Sequence, residues 1–354
     1  MQETVFVGLS GGVDSSVAAL RLKQSGYRVV GVFIKVWHPD WLVCNWEQER
    51  LDAMRVAAKL DIPFLTCNAE DAYRDEVANY FIESYRAGKT PNPDIMCNRA
   101  VKFGAFLDFA DAHGADFIAT GHYAEKQQDE NGKNILVRGV DKNKDQSYFL
   151  SMLSQAQLDR ALFPIGDTPK DQVRKEAESA GLLTAEKKDS QGVCFLGHID
   201  IPEFLSHYID LVPGAVLNES GETIGEHQGA FVYTVGQRHG FTLKSQDPNH
   251  TPHYVVSKNV QDNTIIVTTE HPHLEPFSSL TLLMPVIRGI DPVVGSKYLM
   301  QSRYRQTPVE VTVTAYESGV RLVVQGGSEH DAVAPGQSCV LYQGEVCVGG
   351  GIMS

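Results

Sequence analysis

Six cysteines are spread over 354 residues, and no two of them stand in a CxxC spacing. That spacing argues against a zinc ribbon and against a disulfide-stapled secreted scaffold. The expectation is a cytoplasmic chain with reduced cysteines, any functional one being catalytic. Long apolar runs are also missing. None approaches the roughly 18 residues that span a bilayer, so no membrane association is expected. No basic segment with an apolar core precedes the first strand-like run, so no signal peptide is expected. Positive charge is scarce, since 31 Lys and Arg against 44 Asp and Glu leave a formal net charge of −13. Such a total weighs against a nucleic-acid partner, yet binding depends on a local basic surface that totals do not report.

What is present is an alternation of strands and helices. Val5–Leu9, Arg28–Val36, Pro63–Cys67 and Asp116–Thr120 are predicted strands. Val13–Gln24, Glu47–Leu60, Ala72–Tyr85 and Asp94–His113 are predicted helices between them. The order predicts an α/β fold, a Rossmann-like doubly wound parallel sheet with helices on both faces. Tyr123–Val140, with Asn131-Gly132 at its middle, predicts a β-hairpin insertion. Helical stretches follow at Ser154–Leu162, at Lys170–Ala180 (closed by Gly181) and at Ile201–Ile209. Beyond about Pro276 there is little but strand and turn, the pattern of a small β-barrel. The expected domains are 1–198, an α/β domain, 199–274, a small central α+β domain, and 275–354, a C-terminal β-barrel.

The most informative stretch is VFVGLSGGVDSSVAAL. A buried strand runs into Gly8, Leu9, Ser10, Gly11, Gly12, Val13, Asp14 and Ser15, and a helix begins at once. Two glycines let the backbone turn tightly with its N–H groups exposed, and the helix N-terminus adds its positive end. This is a place for phosphate. No Gly-Lys-Ser/Thr closes the loop and no GxGxxG is present, which sets aside the Walker A and dinucleotide fingerprints.

Two cysteines stand out. Asn92-Pro93 predicts an N-cap with proline in the first helical position, and Met96, Ala100, Phe103, Leu107 and Ala110 trace one buried stripe. Cys97 falls off that stripe, near a helix N-terminus whose dipole favours a thiolate; a small half-buried residue is the bland alternative. Cys194, after Ser190-Gln191-Gly192, is either a buried strand cysteine or a loop thiol. Such a pair could work together, one carrying a persulfide that the other attacks. Cys67, Cys339 and Cys347 stand in apolar strand contexts and are expected to be structural, while Cys44, between tryptophans, has no assigned role.

SGGVDSS, TPNPDIMCN, ATGHY, NKDQSYFL, KKDSQGVCF, GEHQG, VGQRHG, SRYRQT, PGQS and GEVCVGGGI occur in the order found in the bacterial tRNA-specific 2-thiouridylases. The chain resembles that family nearly end to end, and the first motif resembles the PP-loop of ATP pyrophosphatases. The resemblance implies ATP-dependent 2-thiolation of uridine at anticodon position 34, with magnesium accompanying ATP. It implies ATP contacts at Gly8 to Ser15, Ile34 and Gly121, and target-base contacts at Asn92, Pro93 and Asp94, with Asp94 as acid/base. It implies a persulfide on Cys194, Cys97 as nucleophile, and a Cys97–Cys194 disulfide after sulfur release. It implies tRNA contacts at His122, Lys144, Asp145, Gln146, Arg303, Tyr304 and Gln337. The implied partners are the tRNAs for lysine, glutamate and glutamine and a persulfide-donating relay protein. The tryptophan-rich WHPDWLVCNWEQER and Ile34 depart from the family's usual pattern and bear on adenine packing. The rival enzymatic reading is another PP-loop ligase or sulfurtransferase with a different adenylated substrate. An RNA-binding module holding ATP as a structural ligand is the non-catalytic rival.

Overall fold

The computed structural model describes residues 2–42, 45–187, 200–244, 251–274, 279–289, 291–326 and 330–354. Five parallel strands form the first sheet: β1 (Thr4–Gly8), β2 (Arg28–Lys35), β3 (Phe64–Asn68), β4 (Phe117–Ala119) and β5 (Ala161–Leu162), in the order β3-β2-β1-β4-β5. Helices α1 (Val13–Gln24) and α2 (Trp46–Lys59) bury small apolar residues such as Ala18, Ala53 and Ala57. β1 is buried through Val5, Phe6 and Val7, as an unbroken apolar run requires when both faces are covered. Ser154–Leu162 was expected to be helical throughout. The helix instead stops at Arg160 behind a Ser154–Gln157 capping box, and Ala161 turns extended to pair with Ile118 as the edge strand β5. Gly181 takes φ +64° just beyond the helix Lys170–Ser179, the left-handed stop that a glycine permits.

Two long helical runs carry a π turn in mid-course. The first, α3, joins Glu70–Tyr73, Arg74–Ala78 and Asn79–Arg86; the second, α4, joins Pro93–Cys97, Asn98–Ala105 and Phe106–Ala112. A π turn inserts one extra residue, so the buried face shifts along the chain. Val101, Phe103, Phe106 and Ala110 are fully buried, whereas Ala100 and Leu107 of the expected stripe are only partly covered. Cys97, in the α-helical turn ahead of the π segment, is buried together with its neighbours Ile95 and Met96 rather than half-buried.

The central region starts with the helix Ile201–Ser206 and continues into a five-stranded sheet of short strands between Gly214 and Thr268. In the C-terminal region six strands close into a barrel, because Ser279–Ile287 pairs with both Arg321–Gly326 and Val346–Met353. Closure brings backbones into contact. A Cβ on Gly349, which has φ +146°, would lie 1.8 Å from the Val286 carbonyl oxygen.

The expected hairpin forms from Ala124–Gln128 and Asn134–Arg138, and it does more than decorate the first domain. Its second strand pairs with Val346 and Cys347 and extends the barrel's sheet. A buried polar seam follows. Asp145 accepts from the Gly139 and Ser147 amides, the Ser147 hydroxyl and Arg138, all at 3.0 Å. The Arg138 guanidinium lies 3.5 Å over the Tyr342 ring. Arg288, 6% exposed, donates to the carbonyls of Ser151, Leu153 and Cys347 at 2.7–2.8 Å. Burial pulls its pKa down while neighbouring Cys347 pushes it up.

Replacing Arg288 with Met should leave three buried carbonyls without their donor and lower stability by roughly 3 kcal/mol or more. Thermal denaturation should then show a Tm several degrees lower. An unchanged Tm would mean that the seam does not join the domains.

Candidate active site

The strand order reverses between β1 and β4, and the crevice beyond their carboxyl ends is where open α/β sheets place ligands. β1 delivers the glycine-rich loop there. Gly11 takes φ +70° and lies so close to α2 that a Cβ would sit 2.7 Å from the Glu49 carbonyl oxygen. Serines fix the loop from within: the Ser15 hydroxyl lies 3.2 Å from both the Ser10 amide and the Ser10 hydroxyl, and Ser16 donates to the Gly12 carbonyl at 2.7 Å. β4 delivers Gly121, whose Cβ position lies 2.6 Å from the Ser15 nitrogen and 2.7 Å from the Asp14 carbonyl carbon. Ile34, at the end of β2, has its Cδ1 3.4 Å from the Cβ position of Gly8. The sequence-predicted residues Gly8 to Ser15, Ile34 and Gly121 therefore converge on the crevice around the N-terminus of α1.

Asp14 is held by groups that the sequence reading missed. Lys170 reaches both its carboxylate oxygens at 2.7 and 2.8 Å, and the Tyr123 hydroxyl donates to it at 2.7 Å. Lys170 is buried in the first turn of its helix, where the dipole disfavours a cation. That misplaced charge was the available signal.

Because α4 precedes β4 and runs antiparallel to it, its N-terminus also points to the carboxyl end of the sheet. Phe106 lies 3.6 Å from the Cβ position of Gly8, level with the loop. Cys97 is nine residues nearer the helix start, across the π segment Asn98–Ala105. Asn92 caps the helix by accepting from the Ile95 amide at 3.2 Å, with Pro93 in the first turn as expected. The approach to the cap is clamped by both other domains: the Thr90 amide donates to Pro335 at 2.7 Å, and its hydroxyl lies 3.0 Å from that of Thr234. Gln157 donates to the Arg99 and Phe103 carbonyls at 3.0 and 2.8 Å, satisfying the π turn that follows Cys97. Cys97 itself is 1% exposed.

Cys194 and Cys44 lie outside the described residues, so the expected Cys97–Cys194 pairing is not described. One flank of that segment is tied beside the glycine-rich loop, where Lys187 pairs with Asp52 of α2 at 2.8 Å; the other, Asp200, leads into the helix Ile201–Ser206. Trp41 stacks on His207 at 3.7 Å just past that helix, which gives part of the tryptophan-rich segment a place. Burial pushes the Cys67 thiol up to about 11 and that of Cys339 up to about 12, in keeping with structural roles.

The candidate tRNA residues divide into two groups. Tyr304 packs on Phe149 at 4.7 Å, and Phe149 accepts from Asn98 of α4 at 3.2 Å. Arg303 donates to the Val235 carbonyl, and half-buried Gln337 adjoins Pro335 and Gly336, which grip Thr90. These three surround the start of α4. Lys144 is half-buried on the 141–146 turn, and Gln146 exchanges two hydrogen bonds with Tyr123. His122 and Asp145, by contrast, lie inside the protein. Asp145 is spent on the seam, and buried His122 bonds Thr120 at 2.7 Å. Both side chains are engaged within the fold, and their contact with tRNA stays an expectation.

Among the described residues no helix is long and apolar enough to cross a membrane. The family described as the tRNA methyl transferase HUP domain matches residues 3–198. The tRNA methyl transferase PRC-barrel domain matches 202–269 and the aminomethyltransferase beta-barrel domain matches 294–353. The tRNA-specific 2-thiouridylase MnmA of Enterococcus faecalis is 44% identical over 353 residues, covering 99% of this chain and 94% of that protein. The proteins of the same description from Salmonella typhi and Klebsiella pneumoniae are each 46% identical, covering 99% of this chain and 96% and 97% of theirs.

Burial, and secondarily the charge of Lys102, holds the His122 pKa well below its ordinary 6.5. The folded protein keeps the ring neutral where the unfolded chain protonates it. The stability from this group is complete above pH 6.5 and drains as pH falls toward the folded value. His122→Asn should flatten that part of a Tm–pH profile; an unchanged slope would place the acid sensitivity elsewhere.

Proposed function

The chain belongs to the tRNA-specific 2-thiouridylase family, and from that premise we propose a route by which this tRNA-uridine sulfurtransferase works. The carrying observation is that the anion-binding loop and the Asp94–Cys97 helix start share the carboxyl end of one sheet, the helix start standing beyond the loop. The target is the uridine at anticodon position 34, swung out of its stack between Asn92, Pro93 and Asp94. The tRNAs for lysine, glutamate and glutamine are the substrates, and a persulfide-carrying protein supplies sulfur. Residues 1–198, 199–274 and 275–354 act as catalytic, central and barrel domains.

The loop amides and the Ser10 and Ser15 hydroxyls hold the phosphates of ATP while the uridine O2 attacks the α-phosphorus. Pyrophosphate leaves, and Asp94 takes the N3 proton. The terminal sulfur of a Cys194 persulfide then attacks C2. The C2–O bond breaks, and AMP departs with that oxygen. Cys97 attacks the Cys194 sulfur, the S–S bond to the substrate breaks, and Asp94 returns the proton. The products are 2-thiouridine and a Cys97–Cys194 disulfide, which an external thiol reductant reopens.

Among the described residues no group of three or more His, Cys, Asp or Glu is placed to hold a metal. Asp14 is already engaged by Lys170 and Tyr123. We therefore assign magnesium to the phosphates of ATP, where it would neutralise charge, and derive no step through it.

Digested nucleosides from tRNA incubated with ATP, magnesium and a persulfide-carrying donor protein should show 2-thiouridine by mass spectrometry. Cys97→Ser should abolish the peak, and Asp94→Asn should slow its formation roughly 10²-fold or more. Thiolation persisting in the cysteine variant would remove Cys97 from the mechanism. Gly121→Ala should raise the KM for ATP about tenfold through the clash with α1; an unchanged KM would separate that glycine from the nucleotide.

A further inference from the structure

The VGQRHG motif forms the wall of an open cleft of ≈ 400 Å³ in the central domain. Among the described residues its lining is Gly236, Gln237, Arg238, His239, Tyr254 and His271, with no carboxylate. The turn is tightly built from its own polar groups. The Gly236 amide donates to Val255, the Val255 amide donates to Gln237, and the Gln237 side chain spans the Thr234 amide and the His239 carbonyl. Gly236 and Gly240 take φ +88° and +94° to close it. The side chains left facing outward are Arg238 and His239, with exposed His271 opposite and the Tyr254 ring 5.0 Å from it.

Its position connects this cleft to the reaction. Thr234 touches Thr90, two residues before the cap of α4. Arg303 donates to Val235, and its Nη2 lies 3.2 Å from the Cβ position of Gly236. The cleft thus adjoins Arg303. In a chain with a formal net charge of −13, two guanidiniums, two imidazoles and the Tyr254 ring collect on this face. That is a local basic surface of the kind the total charge conceals.

We propose that the cleft binds a backbone phosphate of the tRNA anticodon stem–loop beside the nucleotide being thiolated, with Arg238 as its principal ligand. A guanidinium presents paired N–H donors that match two phosphate oxygens, and the imidazoles of His239 and His271 border the same space. The proposal rests on the reading of tRNA as substrate and names a contact that positions the RNA without reading its sequence.

Binding of labelled tRNA to wild type, Arg238→Gln and Arg238→Lys should be measured across a salt series, with Tm recorded for each. Arg238→Gln should weaken binding roughly tenfold at low salt. It should also reduce the slope of log K against log salt by about one. Arg238→Lys should retain most of the slope. Wild-type affinity and slope in Arg238→Gln would overturn the cleft while leaving the thiolation reading intact. Wild-type protein that neither binds nor thiolates tRNA would overturn both.

Discussion

Where β1 and β4 part, the backbone of Gly121 lies against the N-terminus of α1 too closely for a methyl group to fit. Everything at the candidate site is arranged around that approach. It keeps side chains out of the space in front of the α1 amides, which is what an anion needs from a helix terminus. The residues after Gly121 then reinforce it: Tyr123 holds Asp14, and Gln146 holds the backbone of Tyr123. Lys170 completes the tie from a separate helix. A loop with two glycines would otherwise have considerable conformational freedom, and these contacts make it a preformed cradle.

The start of α4 is fixed differently, by the meeting of three domains. Thr90 bonds to the central domain through Thr234 and to the barrel through Pro335, and Tyr148 donates to the Ser302 and Ser338 carbonyls. The barrel is therefore no appended module. Its sheet continues into the hairpin 124–138, and Arg288 and the Arg138–Asp145 pair are buried along the join. Breaking such a seam leaves charged and carbonyl groups uncompensated, which makes separation of the domains costly. Rigidity at the join holds Asp94 and Cys97 in place relative to the loop.

Much of this was legible in the chain. Four of the five strands of the parallel sheet fall within a residue of where apolar runs put them, the edge strand Ala161–Leu162 being the exception, and Asn92-Pro93 caps its helix as the local chemistry requires. What escaped was non-local. A π turn leaves no mark in a hydrophobic stripe that still steps by three and four, so the partial exposure of Ala100 and Leu107 was out of reach. Asp145 and His122 stand in polar motifs that resemble surface; their hydrogen-bond partners are near in sequence, but the rings packed around them come from far along the chain, Tyr342 under Arg138 and Phe103 and Phe163 against His122. The pairing of the hairpin with the last strand spans some two hundred positions and carries no short-range signal. Lys170 alone offered a hint, as a cation at the wrong end of a helix.

The central claim is that ATP activates the uridine oxygen before sulfur arrives. It is tested most directly by preparing substrate tRNA with ¹⁸O at C2 of the target uridine and following the label through one turnover. Mass spectrometry of the nucleotide products should find the label in AMP, because the departing oxygen leaves with the α-phosphorus. Unlabelled AMP formed alongside 2-thiouridine would contradict the account, since the C2 oxygen would then have left without ever having been adenylated.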